Sequence, residues 1–210
     1  EKVKVDEMFS EVFQLAEKIS GDTDGAFDIT VAPMVNAWGF GFKTGNPPTR
    51  QTIDSLRAIV GFHTVSLQDG YVIKKNPKTM LDCSAIAKGY GTDVVARFLK
   101  KKGVQNFMVE IGGEIVVNGN SEKLQPWRIG INKPTDDSLN TNQAIQDVVS
   151  VSNIAMATSG NYRNFYYKNG KKYAHTIDPK TGYPVQHNIL SATVFADDCA
   201  TADAYATSFM

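Results

Sequence analysis

The sequence predicts an α+β fold with largely antiparallel sheets, and three observations lead there. Strand-length apolar runs are joined by turn pairs such as Asp69-Gly70 and Asn169-Gly170, which mark hairpins. Helical patterns are inserted between those hairpins and do not follow each strand in turn, so a doubly wound parallel sheet is not expected. Of 210 residues, 42% are apolar and 21% charged, enough for a buried core in one large domain or two small interlocked ones.

Along the chain, Val5, Met8, Phe9, Val12, Phe13, Ala16 and Ile19 recur at three- and four-residue spacing, an amphipathic helix closed by the Gly21–Gly25 region. GAFDIT and PMVNAWGFGF then read as an irregular loop, with Phe27, Trp38, Phe40 and Phe42 set among glycines. That cluster could wall a planar ring, although core packing is the commoner use of such residues. After a break at GNPP, residues 52–60 read as a short helix and FHTVSLQ with YVIKK as a hairpin. Residues 79–82 read as a strand end leading into a helix over 84–102 that Gly103 stops. FMVEI and EIVVNG flank Gly112-Gly113 as strands, followed by strands in WRIGIN and DVVSVSNIAMAT. NYRNFYYKNGKKYAHTI forms a second hairpin, ILSATVFA a strand, and DDCATADAYATSFM a closing helix.

Several function classes are excluded at this level. With 22 basic and 22 acidic residues the chain is neutral, which gives no footing for the clustered positive charge of nucleic-acid binding. Apolar runs fall well short of the roughly 18 residues of a membrane span. Cys83 and Cys199 form neither a disulfide framework nor a zinc pattern and read as small buried apolar residues. No GxGxxG or Walker A motif is present.

The candidate chemistry is dispersed. Asp203 and Thr207 lie four residues apart on the closing helix, so a carboxylate and a hydroxyl share one face. Both are hard oxygen donors suited to Mg²⁺, and the plain alternative is an aspartate interacting with the helix dipole. Asp197 and Asp198 fit the cap of that helix. In LDCSAIAKGYG a helix start with Lys88 in its first turn could hold an anion, against a Ser84 cap beside a solvated lysine. His175 stands at a strand end before the Asp178-Pro179 turn and could act as a base near neutral pH. His63 and His187 receive no role. Arg163 in ATSGNYRNF could pair with phosphate, and Gly112-Gly113 could let backbone approach a ligand or simply turn a hairpin.

Taken in order, GAFDITVAPMVNAWGFG, LDCSAIAKGYGTD, FMVEIGGEI, WRIGINKP, ATSGNYRNF, HTIDPKTGYPV and CATADAYAT closely resemble the ApbE family of FAD:protein FMN transferases. The resemblance runs from about residue 25 to residue 210. It implies intertwined α/β subdomains around one FAD cleft, and Mg²⁺-dependent transfer of FMN from FAD to a Thr or Ser hydroxyl of a target flavoprotein, with release of AMP. Alternatives within reach are an FAD pyrophosphatase giving FMN and AMP, and a flavin-binding module without catalysis. It implies Asp203, Thr207 and the backbone carbonyl of Ala85 as metal ligands. A second Asp that some relatives carry directly before the Thr is Ala206 here. By the same resemblance Ala26, Phe27, Asp28, Asp82, Lys88, Arg163 and Ile177 attend the cofactor, and His175 deprotonates the acceptor hydroxyl. The implied partners are FAD and an acceptor such as a redox-pump subunit, with no nucleic acid. The implied location is the periplasmic face of the bacterial inner membrane, held by a lipid anchor outside this chain. Residues 1–210 are expected to form a single ApbE-like domain that lacks the family's N-terminal segment and C-terminal end.

Overall fold

The computed structural model describes residues 1–41, 47–135, 144–162, 165–168 and 170–210. The chain divides into two compact units, Glu1–Cys83 with Phe165–His187 and Ser84–Asn164 with Asn188–Met210. Each unit therefore draws on two separated stretches of sequence.

In the first unit, β1 (Lys2–Lys4), β2 (Val65–Gln68) and β3 (Tyr71–Lys74) form an antiparallel sheet in the order β1-β3-β2. The β2–β3 hairpin turns at Asp69 and Gly70, both at positive φ, as a tight right-twisted hairpin requires. Helix α1 (Glu7–Asp22) starts two residues later than its apolar pattern suggested, because Asp6 caps it by accepting the Phe9 amide proton. It buries Val12, Phe13, Ala16 and Ile19. The segment expected to be irregular instead holds a one-turn helix, Ile29–Val31, and α2 (Ala32–Ala37), where Pro33 occupies a first-turn position that needs no amide donor. Helix α3 (Arg50–Arg57) is capped by Thr49. Met34, Trp38, Ile53, Val60 and Ile177 pack together as this unit's core. The strand end expected over 79–82 does not form, since these residues belong to no helix or strand; the Asp82 amide donates to the Ile29 carbonyl at 2.7 Å.

The second unit carries α4 (Ala87–Lys101), β4 (Phe107–Ile111), β5 (Glu114–Asn118), β6 (Trp127–Asn132), β7 (Ile145–Val151) and β8 (Ile154–Gly160). In the first unit, β9 (Phe165–Lys168) and β10 (Lys171–Ala174) form the hairpin around Gly170. The chain then returns to the second unit with β11 (Ser191–Ala196) and α5 (Cys199–Ser208). A four-stranded antiparallel sheet runs β11-β8-β5-β4, and β6 pairs with β7.

Period-two alternation gives that sheet two apolar faces. Phe107, Val109, Val116 and Ala155 pack with Ala96 of α4 and Cys199 of α5, while Ile115, Val117 and Met156 pack with Ile129 of β6. Burying a side chain such as Val117 contributes roughly 1.5–3 kcal/mol. α4 begins at Ala87, not Ser84, since 84–86 form a turn and Ile86 precedes the helix without a side-chain cap.

Candidate functional site

The site in the second unit begins with a close approach of α4 and α5. Gly89 has no Cβ, and one placed there would collide with the Cys199 carbonyl and come within 2.9 Å of the Ala200 Cα. Only glycine allows this approach without backbone displacement. The small residues Ala200, Ala202, Ala204 and Ala206, all buried, make α5 a helix that packs on nearly every side.

Two carboxylates lock the start of α5. Asp198 caps it by accepting the Thr201 amide proton, as expected from its position. Asp93 of α4 reaches across to accept from Cys199 N and Ala200 N, each at 2.8 Å. Burial raises the Asp93 carboxyl above the ordinary range, and those two amides partly offset the rise. Sequence reasoning missed Asp93, although a carboxylate in the stripe of buried α4 residues Gly89, Thr92 and Ala96 was a readable signal.

With α5 fixed, Asp203 is 3% exposed and its Oδ2 accepts the Gly89 amide proton at 3.1 Å. Burial pushes its carboxyl up to about 6; the Gly89 bond and the Lys88 charge pull it down, while Glu114 pushes it up. One turn further on, the Thr207 hydroxyl shares a hydrogen bond of 3.0 Å with Ser159 of β8.

Glu114 completes the group and was not singled out in the sequence. It opens β5 directly after the Gly112-Gly113 turn, both glycines at positive φ. The residue is 2% exposed, its Oε1 pairs with Lys88 Nζ at 2.5 Å, and its buried Oε2 has no hydrogen-bond partner. Two buried carboxylates thus face one ammonium whose side chain is half-exposed. Among the described residues no group of three or more His, Cys, Asp or Glu has metal-holding geometry. Magnesium asks for less, one or two carboxylates completed by water and phosphate oxygens, and an unpaired buried carboxylate oxygen fits that demand. Asp203, Glu114 and the Thr207 hydroxyl are oxygen donors of the kind that could hold such an ion, and Ala85, a ligand by the sequence resemblance alone, lies in the turn before α4.

In the first unit the remaining candidates fall in two places. Asp28 is buried with its oxygens committed: Oδ1 accepts from Thr30 N and Oγ1 at 2.8 and 2.7 Å, and Oδ2 from Phe62 N at 2.7 Å. Burial nevertheless raises its pKa. Phe27 is buried beside it, Ala26 is half-buried, and Asp82 is drawn alongside Ile29 by its backbone bond. His175 follows β10 directly, half-buried, with Phe40 edge-on to its ring at 6.5 Å between centroids. Phe40 stacks on Tyr166, Tyr166 on Tyr173 and Tyr173 on Trp38. Ile177 is buried, bridging to Pro184. The aromatic cluster is therefore in part a core, with Trp38 4% exposed and its indole N–H on the Gly182 carbonyl. Arg163 and Phe42 lie outside the described residues. Of the two cysteines expected to be buried, Cys199 is and Cys83 is only half-buried; burial raises both thiols, Cys83 to about 11.

Comparison with known proteins gives a consistent picture. A family model described as the ApbE family matches residues 1–210. The FAD:protein FMN transferase of Vibrio cholerae is 41% identical over 201 residues, which cover 95% of this chain and 59% of that protein. That of Haemophilus influenzae is 40% identical over 211 residues, covering 98% and 60%. Among solved structures, the flavin transferase ApbE of Vibrio cholerae superposes with a TM-score of 0.87 at 40% identity, over 100% of this chain and 66% of that one. The apo flavinyl transferase ApbE of Pseudomonas stutzeri gives 0.89 at 33% identity, over 100% and 64%. The chain thus spans about 60% of the length of the curated relatives it matches.

Proposed function

The chain belongs to the ApbE family, and from that premise we propose that it serves Mg²⁺-dependent transfer of FMN from FAD to a Thr or Ser hydroxyl of an acceptor flavoprotein, with release of AMP. The observation that carries the reading is the buried pair Asp203 and Glu114 with one Lys88 ammonium, an excess of negative charge enclosed where α4 meets α5. A magnesium ion held by Asp203, Thr207 and the Ala85 carbonyl would neutralise pyrophosphate charge and favour departure of AMP.

The chain's own residues supply the rest. Lys88, half-exposed, carries a positive charge suited to a phosphate oxygen. Arg163 is assigned to the same anion from the sequence alone, on the affinity of a guanidinium for phosphate. His175 takes the proton of the acceptor hydroxyl as it attacks phosphorus, a contribution of typically ~10²–10⁴-fold. Asp28 organises the 27–30 segment through its three hydrogen bonds, and Ala26, Phe27, Asp28, Asp82 and Ile177 are assigned to the flavin nucleotide on the sequence resemblance. Acceptors of this chemistry include redox-pump subunits. The proposed setting is the periplasmic face of the inner membrane, reached through a lipid anchor; among the described residues no helix is long and apolar enough to cross a membrane.

The test is an incubation with FAD and Mg²⁺, with and without an acceptor domain bearing the target Thr. AMP is followed by chromatography and flavin fluorescence on the denatured acceptor. AMP matched by fluorescent acceptor is the expected result, and His175→Ala should lower its rate about 100-fold or more while FAD binding persists. AMP without labelled acceptor would reassign the protein as a pyrophosphatase. Bound FAD with no AMP would make it a flavin binder.

A further inference from the structure

We propose that Glu114 is a second carboxylate of the divalent-cation site, and that the Lys88 ammonium stands in for the cation until the metal displaces it. The inference rests on the metal-dependent reading above and adds to it a residue and an order of events.

Glu114 is almost wholly enclosed, and an ionised carboxylate in that state demands compensation. Lys88 supplies it to one oxygen only; the other is buried with nothing to accept. A second acid stands close by, because the Asp203 carboxylate is bonded to the amide of Gly89, the residue after Lys88, and its charge is felt together with those of Glu114 and Lys88. One compact ammonium with three donors leaves this pair of acids short of positive charge and of partners. A small dication with six oxygen ligands meets both deficits.

The geometry also lets Lys88 leave. Its side chain is half-exposed although its ammonium pairs with an enclosed acid, so it can swing toward solvent without leaving a packed core. That side chain runs beside the Gly112 turn, where a Cβ would sit 3.3 Å from the Lys88 Cδ and 3.6 Å from Glu114 Oε2. When a dication takes over Glu114, the released ammonium is free for a phosphate oxygen. Metal binding would then prepare the anion site, and Lys88 would serve both states in succession.

The experiment is titration calorimetry of Mg²⁺ into purified protein without FAD, so that no phosphate contact of Lys88 contributes. Lys88→Met removes the competing ammonium and should tighten Mg²⁺ binding about 3-fold or more, the effect of one nearby screened charge. Lys88→Arg, which keeps the charge and can grip the carboxylate with two donors, should weaken it. Glu114→Gln should weaken it by about 10-fold or more. Thermal melts add an independent readout: Lys88→Met should melt below wild type without metal and gain more from saturating Mg²⁺ than wild type does. Mg²⁺ affinity unchanged in Glu114→Gln, or no tighter in Lys88→Met with Lys88→Arg equal to wild type, would reduce Glu114 to a structural clasp and overturn the inference. If wild type binds no Mg²⁺ even with FAD present, the metal-dependent reading itself fails.

Discussion

Asp28 in the first unit and Asp203 in the second are both buried aspartates raised above the ordinary carboxylate range by desolvation, yet they are built for different ends. Asp28 has three donors on its two oxygens, all within 2.8 Å and two of them from Thr30 only two residues away. Asp203 has one amide at 3.1 Å and a second acid, Glu114, pressing on it. A carboxylate with its lone pairs committed organises backbone; one left short of donors retains affinity for a cation. Burial alone does not separate the two cases, and the partner inventory does.

Asp93 belongs with Asp28, and removing it gives the largest effect. Asp93→Ala would strand the amides of Cys199 and Ala200, which are 0% and 2% exposed, at the start of the helix that carries Asp203. The expected loss is about 2–4 kcal/mol of unfolding free energy by urea titration, with Asp93→Asn losing about half because one acceptor remains. A loss under about 0.5 kcal/mol would remove Asp93 from the committed class.

The next contrast sets the two named aspartates against each other. Asp28→Ala should cost about 2 kcal/mol, through its lost donors, and leave Mg²⁺ affinity unchanged. Asp203→Asn should abolish Mg²⁺ binding yet leave the metal-free protein at pH 7 as stable as wild type or more so, because it removes a desolvated charge. The pH dependence follows the same logic. Asp203 moves from an ordinary value of 3.8 to about 6 on folding, so between those values the native state holds more protons than the unfolded state. Stability of the metal-free protein therefore falls as pH rises through that window and levels off above it, the reverse of the usual acid-side behaviour. Asp28 and Asp93, also raised, add to the slope, and Asp203→Asn should flatten it. Urea titrations from pH 4 to 7 read the slope directly.

What the sequence revealed and what it concealed divide along similar lines. Asp203 and Thr207 were legible because helical periodicity puts residues four apart on one face, and the Asp198 cap because its chemistry is local. The hairpins at Asp69-Gly70 and Gly112-Gly113 were legible because those turns need positive φ. Glu114 was not, since period two says which face a strand residue takes and nothing about whether that face is covered; its partner Lys88 is 26 residues away. The place of Asp93 on the buried stripe of α4 was readable, but the amides it serves are more than 100 residues away, out of reach of any local pattern. Strand β1 escaped notice because its three residues are all exposed and a single apolar one, Val3, is too short a trace to mark a strand. The helix at Ala32–Ala37 was hidden by aromatic and glycine neighbours that resemble a loop, although Pro33 was its marker.

The smallest effect concerns the hydroxyl pair. Ser159 and Thr207 share a half-buried hydrogen bond of 3.0 Å, and either can be the donor. If Thr207 lends its oxygen to a cation, its proton must point away, and the Ser159 oxygen is the acceptor that would take it. Ser159→Ala should then cost only about 1 kcal/mol of stability, one neutral hydrogen bond. It should also weaken Mg²⁺ by a few-fold, because the Thr207 oxygen loses the partner that orients it. Ser159→Thr, which retains the hydroxyl, should restore affinity more fully than stability, since its extra methyl must fit beside α5. Equal Mg²⁺ affinity in wild type and Ser159→Ala, measured by calorimetry, would mean that Thr207 needs no such orientation. The contrast between committed and available groups would then rest on the carboxylates alone.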